Sequence, residues 1–439
     1  MTVKITKPID GGVVGAIASK SAAHRLLICA ALADRETFIT CHQRSEDIDA
    51  TARCLQALGA DIRYEESGFW VTPIEGRRGQ RPLQCAAVDA AYGVQGLDCG
   101  ESGSTLRFML PICGALGVDA AFHMGGRLPT RPLTGLYEEM VAHGCSLSPH
   151  GTSPLVCEGQ LISGEYTLPG NISSQFVSGL LFALPLLGGD SQICVTNGLE
   201  SRPYVDMTLD ALAQFGIKIS EEIISENELI FHVKGGQIYR SPREISTEGD
   251  WSNAAFWLSA GAIGTSSITM TGLDMNSRQG DKAIVEFLAR FGAKVSTEND
   301  AVMVSPKELH GIDINAADTP DLVPILAAVA SVAEGTTVIC NAERLRIKES
   351  DRLKTVAETL TQLGADVTET DDGLVINGKP RLRGGEVQSH GDHRIAMMVA
   401  VLSIACDGAV TINGAEAVRK SYPAFFEDFV MLGGICEND

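Results

Sequence analysis

The chain has 439 residues, 44% of them hydrophobic and 21% charged, which describes a soluble globular protein. It is too long for one ordinary core, so two domains of roughly 200 residues each are expected. Its 55 acidic against 35 basic residues give a net charge of −20, which excludes nucleic acid and anionic membrane as partners by repulsion. Small anionic substrates stay open, because beyond a Debye length of about 8 Å a local cluster of cations escapes the distant carboxylates.

From the N-terminus, "MTVKITK" alternates like a strand, and "MTVKITKPIDGG" carries no apolar or Arg/Ser-rich leader. "SAAHRLLICAALA" is small-residue-rich and apolar on nearly every face, as a buried helix is. "TFITC" reads as a strand. "CLQALGADI" is the end of an amphipathic helix, stopped by Gly59 in a left-handed conformation, with a strand after it. The same succession returns five times. The buried helices are "STLRFMLPICGAL", "SSQFVSGLLFALPLL", "SNAAFWLSAGAI", "PDLVPILAAVASVA" and "HRIAMMVAVLSIACDG", and the stop glycines are Gly144, Gly216, Gly292, Gly364 and Gly433. Successive glycines lie 85, 72, 76, 72 and 69 residues apart, so the fold expected is α/β, built from six repeated units of strands and two helices. Three units per half give two pseudo-symmetric lobes, with a change-over near residues 239–250, "YRSPREISTEGD". The longest apolar runs, such as "FVSGLLFALPLLGG", are too short to span a membrane. The twelve cysteines, Cys85 among them, form no CxxC pair and read as reduced thiols. A cytoplasmic protein is expected.

The starts of the buried helices carry polar residues that their interiors lack. Lys20, Ser21 and Arg25 open the first, Gly103 and Arg107 the second, and Ser173, Ser174 and Gln175 the third. "EGDWSN" opens the fourth, Asp321 in "TPD" the fifth, and His393 and Arg394 in "GDHR" the sixth. Serine and aspartate at a helix start are explained as caps worth about 1 kcal/mol. The cations are not: near a helix N-terminus they are unfavourable by about 0.3–1 kcal/mol. Arg25, Arg107, Arg394 and Arg352 together imply that a phosphate or carboxylate occupies the space in front of them. In "ERLRIKESDRLKT", residues 343–355, Leu353, Val356, Leu360 and Leu363 mark the buried stripe of a helix capped by Ser350. Arg352 is then in its first turn with Lys348 and Glu349 just ahead, while Glu343, Asp351 and Lys354 read as a solvated face. "HGDH" at 390–393 lacks a matching ligand set, so no metal is expected. "CGESG" lacks the lysine and threonine of a nucleotide-phosphate loop.

Taken together, "SKSAAHRLLICAALA", "CGESGSTLRF", "TRPL", "GNISSQF", "ESRPYVD", "TEGDWSNAAF", "RIKESDRL", "GDHRIAM" and "RKSYP" resemble, in order and almost end to end, the motifs of the 5-enolpyruvylshikimate-3-phosphate synthase family. The resemblance implies a two-lobed inside-out α/β barrel, with residues 20–243 in the first lobe and 1–19 plus 244–439 in the second. It places the active site in the cleft between the lobes. It implies transfer of the enolpyruvyl group of phosphoenolpyruvate to the 5-hydroxyl of shikimate 3-phosphate, by a monomer needing no cofactor. Lys20, Gly103, Arg131, Gln175, Arg352, Arg394 and Lys420 would surround phosphoenolpyruvate. Lys20, Ser21, Arg25, Ser173, Ser174, Gln175, Ser201, Tyr204, Asp321 and Lys348 would hold shikimate 3-phosphate. Asp321 would be the base at the 5-hydroxyl, and its place after "TP" also suits a cap. Glu349 would exchange protons with the methylene carbon, and Lys20 or Lys348 could carry protons too.

The chain departs from the family pattern at Ile17 and Ala18, at Ser104 and Phe108, and at Arg344. None is a catalytic group; they bear on the phosphoenolpyruvate pocket and on sensitivity to glyphosate, for which Gly103 leaves room. Two other readings compete. The sister enzyme that acts on UDP-N-acetylglucosamine has Asn where this chain has Ser21, and it carries a loop cysteine, whereas no cysteine lies between Cys113 and Cys145. A non-catalytic anion-binding module would not need Asp321, Glu349 and Lys20.

Overall fold

A computed structural model describes residues 1–74, 88–89 and 91–438. The chain forms two compact units, one of Lys20–Thr247 and one of Met1–Ser19 with Glu248–Asp439. The boundary falls after Thr247, not after residue 243. The strand Glu244–Ser246 pairs in parallel with Phe38, Ile39 and Thr40, and the Thr247 amide donates to the Thr40 carbonyl, so these residues stay with the first unit.

In the unit Lys20–Thr247, α1 (Lys20–Ala31), α2 (Glu46–Ala57), α3 (Gly103–Leu116), α4 (Leu136–Ala142), α5 (Ser174–Ala183) and α6 (Arg202–Gln214) alternate a buried with an amphipathic helix. In the other unit α7 (Trp251–Ile263), α8 (Ile284–Phe291), α9 (Val323–Ala330), α10 (Arg352–Gln362), α11 (His393–Leu402) and α12 (Phe425–Met431) do the same. Every residue of α9 and α11 is buried, as the all-round apolar pattern requires. The six stop glycines take φ between 78° and 110°, the left-handed conformation that lets the chain leave each amphipathic helix for a strand.

Six sheets share one plan: a parallel pair of strands continues through two antiparallel pairings. In the first unit these are Glu244–Ser246 with Thr37–Thr40, Gly68–Thr72 and Asp61–Glu65, then Val94–Asp98 with Ala120–His123, Leu155–Gly159 and Cys145–Leu147, then Glu165–Pro169 with Ser191–Thr196, Glu228–Val233 and Ile219–Ser225. In the second unit Gly12–Gly15 runs parallel to Ile268–Thr271. There Thr2–Lys7 lies antiparallel between Val410–Asn413 and Ile435–Asn438, with Val3 and Ile5 turned into the core. This pairing is why the first nineteen residues belong with the C-terminal half.

Small residues let the buried helices approach closely. A Cβ added at Gly179 of α5 would lie 2.3 Å from the Arg107 carbonyl oxygen of α3. Eleven described cysteines are free thiols, eight of them buried, and Cys85 lies outside the described residues. No helix among the described residues is long and apolar enough to cross a membrane.

Gly179→Ala must push α3 and α5 apart, so it should lower unfolding stability by about 1–3 kcal/mol, the range for overpacked cores. Urea denaturation of the purified protein measures it, and an unchanged midpoint would contradict the close approach.

Candidate active site

In the unit that includes residues 248–439, the helix starts meet at one guanidinium. Arg352 is the first residue of α10, and its side chain is only 2% exposed. Its Nε donates to Asp392 Oδ2 at 2.7 Å, its Nη1 to Asp321 Oδ1 at 2.8 Å, and its Nη2 to Glu349 Oε2 at 2.6 Å. Burial works against its charge, and Asp392, Glu349 and Asp321 together outweigh that and raise its pKa. Asp392 is at the same time the N-cap of α11, accepting from the Arg394 amide at 3.0 Å. One carboxylate thus fixes both the start of α11 and the cation on α10.

Asp321 is the second residue of the 3₁₀ turn Pro320–Leu322 that leads into α9, not a cap; its carboxylate goes to cations. Besides Arg352, Arg394 Nη2 lies 3.1 Å from Oδ2 and Lys348 Nζ 3.8 Å from Oδ1. Arg394 also donates to the Asp321 carbonyl at 3.1 Å and to Ser252 Oγ at 2.9 Å. Burial pushes the Asp321 carboxyl up, but Arg394, Lys348 and Arg352 prevail and hold it well below the usual carboxylate range. Burial brings Lys348 down to about 8 despite the nearby Asp321 charge. Lys420 donates to the Gly391 carbonyl, one residue before Asp392, at 2.8 Å.

The cap of α10 differs from the sequence reading. Asp351, not Ser350, is the N-cap, accepting from the Lys354 amide at 3.2 Å. Ser350 instead turns inward and donates to Asp392 Oδ2 at 3.1 Å. Asp351 makes this cap while its side chain stays partly exposed, and Glu343 and Lys354 are exposed. The stripe of Leu353, Val356, Leu360 and Leu363 is wholly buried.

The other unit gathers a second set. Lys20, the first residue of α1, pairs with Asp47 of α2 at 2.8 Å. Arg25, one turn on and 3% exposed, donates to the Ser21 carbonyl at 2.7 Å, the Tyr204 carbonyl at 2.7 Å and Thr208 Oγ1 at 2.9 Å. It thereby joins α1 to α6, and the Phe108 ring lies 5.3 Å below it. Arg107 is also a strut: it donates to Gln175 Oε1 at 2.7 Å and to the Pro132 carbonyl at 3.2 Å. The expectation that its guanidinium faces a ligand is thus replaced by a supporting role, because it fixes the Gln175 amide, whose Nε2 donates to Ser104 Oγ at 2.8 Å. The Arg131 guanidinium lies against Gly103, where a Cβ would come within 2.7 Å of Nη1, so any larger residue there would displace the end of the arginine side chain. Ser173 caps α5 with Ser174 as its first helical residue, and Ser201 precedes α6 at φ 53°, an unusual conformation for serine.

Beneath these helix starts runs a buried hydroxyl chain. His24 Nδ1 contacts Thr51 Oγ1 at 2.7 Å, Thr51 contacts Thr105 Oγ1 at 2.7 Å, and Thr105 donates to Ser102 Oγ, the cap of α3, at 2.8 Å. Burial, then the charges of Lys20 and Arg25, push the His24 pKa down, so the ring is neutral.

Sequence reasoning did not single out Asp47, Ser252, Asp281 and Asp392, which the structure brings to these groups. Asp392, before His393, and Ser252, within "EGDWSN", both stood at helix starts, whereas Asp47 and Asp281 carried no such signal. Among the described residues no cluster of three or more His, Cys, Asp or Glu side chains suits a metal. The two sets of cations, carboxylates and helix N-termini suit small phosphorylated and carboxylated substrates together with proton transfer.

Residues 3–429 match the family described as EPSP synthase (3-phosphoshikimate 1-carboxyvinyltransferase). A 3-phosphoshikimate 1-carboxyvinyltransferase of Clostridium kluyveri is 44% identical over 95% of this chain and 93% of its own length. One from Clostridium novyi is 40% identical over 99% of this chain and 98% of its own. The solved EPSP synthase of Acinetobacter baumannii superposes with a TM-score of 0.81 at 26% identity, covering 100% of both chains. The fold is that of these proteins, the inside-out α/β barrel. With a match over nearly its whole length and relatives at this identity, the chain belongs to the EPSP synthase family, the 3-phosphoshikimate 1-carboxyvinyltransferases.

Proposed function

We propose that the two residue sets act on one pair of substrates, transferring the enolpyruvyl group of phosphoenolpyruvate to the 5-hydroxyl of shikimate 3-phosphate with release of phosphate. The observation that carries this reading is Asp321, held ionised by Arg352, Arg394 and Lys348. Lys20, Gly103, Arg131, Gln175, Arg352, Arg394 and Lys420 take the phosphate and carboxylate of phosphoenolpyruvate. Lys20, Ser21, Arg25, Ser173, Ser174, Gln175, Ser201, Tyr204, Asp321 and Lys348 take shikimate 3-phosphate. Charge-assisted hydrogen bonds of about 1.5–3 kcal/mol each make such a set sufficient for binding.

In the addition step Asp321 accepts the proton of the 5-hydroxyl as its oxygen bonds to C2 of phosphoenolpyruvate, and Glu349, entering the step in its protonated form once the substrate anion has drawn Arg352 away, delivers that proton to C3. In the elimination step the C2–O bond to phosphate breaks, the proton held by Asp321 passes to the departing phosphate, and C3 returns its proton to the Glu349 carboxylate, restoring the methylene and both side chains to their starting forms. Atoms and charge balance without a cofactor or metal. A carboxylate clamped by three cations is a weak base. A substrate anion that draws Arg352 and Arg394 to itself loosens that clamp, so Asp321 gains proton affinity when the hydroxyl is in place. Arginine charge also steadies the departing phosphate. The protein works as a monomer in the cytoplasm.

Phosphate release from phosphoenolpyruvate should require shikimate 3-phosphate and should not occur with UDP-N-acetylglucosamine or with neither; release with UDP-N-acetylglucosamine would overturn the assignment. Asp321→Asn should lower kcat by about 10²–10⁴-fold, the range for a positioned general base, and near wild-type turnover would remove Asp321 from that role. Lys348 carries its charge below pH 8 and loses it above, so kcat/KM for shikimate 3-phosphate should fall with an inflection near pH 8. Lys348→Arg keeps the charge and should flatten that limb; an inflection that persists belongs to another group.

A further inference from the structure

Behind Arg394 lies a carboxylate that the reaction as written does not use. Asp281 sits in the 3₁₀ turn Gly280–Ala283 ahead of α8 and is 3% exposed. Its Oδ2 accepts a hydrogen bond from Ser252 Oγ, on the first turn of α7. Ser252 Oγ in turn accepts from Arg394 Nη2 at 2.9 Å. A serine hydroxyl has one proton. By giving it to Asp281, Ser252 turns its lone pairs toward the guanidinium, so the chain runs in one direction from Arg394 N–H through Ser252 O–H to the Asp281 carboxylate. The neighbouring Lys282 is engaged elsewhere, donating to the carbonyls of Met275 at 2.8 Å and Ser277 at 2.9 Å.

The position has a cost that a purely structural contact would not need. Burial and the charges of Asp321 and Asp250 act against ionisation, while Arg394 and Ser252 favour it, leaving the Asp281 pKa at about 6. At neutral pH it is therefore mainly a carboxylate, as the direction of the chain demands. Arg394 is then held on two sides, by Asp321 and by Ser252 backed by Asp281. Only the first of these groups meets substrate in the reading above.

We propose that Asp281, acting through Ser252, is a positioning residue that aims the Arg394 guanidinium at phosphoenolpyruvate. The inference rests on the assignment of Arg394 to that substrate. Misplacing a binding group by about 1 Å can cost up to about 10²-fold. Asp281→Asn presents an amide donor, or an acceptor of lower charge, to Ser252, and Ser252→Ala removes the link. Each should raise KM for phosphoenolpyruvate about tenfold, leave KM for shikimate 3-phosphate within about twofold, and melt like the parent. Ser252→Thr keeps the hydroxyl and should restore KM. If Asp281→Asn does not fold, the two Ser252 variants carry the test. An unchanged KM for phosphoenolpyruvate, or equal rises for both substrates, in folded variants overturns the proposal. Arg394→Gln separates the two layers. If it raises KM for phosphoenolpyruvate while the Ser252 and Asp281 variants do not, only the positioning role falls. If it does not, the assignment of Arg394 falls, and this inference with it.

Discussion

A buried guanidinium cannot stand alone. Arg352 lies at the first position of a helix, where the backbone already carries partial positive charge, and it is almost wholly removed from water. Removing one partner from such a buried ion pair costs about 3–5 kcal/mol, so Asp392, Asp321 and Glu349 have to be where they are. That requirement draws three separate segments together: the turn before α9, the start of α10 and the start of α11. Asp321, the base of the proposed reaction, is thus placed by a demand of folding. Asp392 shows the economy of the arrangement, capping α11 with one oxygen and holding Arg352 with the other.

The named partners of Arg352 differ in kind from those of Arg25 and Arg107. Around Arg352 the partners are carboxylates. The named hydrogen bonds of Arg25 and Arg107 go instead to carbonyls, a threonine hydroxyl and an amide. These neutral acceptors orient the two guanidinium groups without themselves supplying a counter-charge. Carboxylates hold a cation more tightly but have to be displaced or reweighted by an incoming anion, which suits a site where proton affinity must change during the reaction.

Much of this was legible in the sequence because it is local. The stop glycines, the buried stripe of α10 and the all-round apolar α9 and α11 follow from backbone conformation and helical period, which adjacent residues determine. The cations at helix starts also stood out, because they oppose the helix dipole. What they face did not. Lys20 meets Asp47 27 residues away, Arg352 meets Asp392 40 away, and Arg394 meets Ser252 142 away. No periodicity encodes such pairs. Arg107 therefore looked like a ligand contact when it is a brace for Gln175. The cap of α10 was misread by one residue, since Ser350 and Asp351 are both good caps and only the buried Asp392 decides that the serine turns inward.

The scattered thiols give this architecture an unplanned gauge of its own motions. Cys29 on α1, Cys113 on α3 and Cys157 on a central strand are sealed in one unit, and Cys406 lies behind α11 in the other. A water-borne reagent reaches each sulfur only when its surroundings open. Alkylation rates mapped residue by residue would thus read the opening equilibrium of individual repeats. Repeated units of one strand-and-helix plan already carry several of these cysteines at different depths.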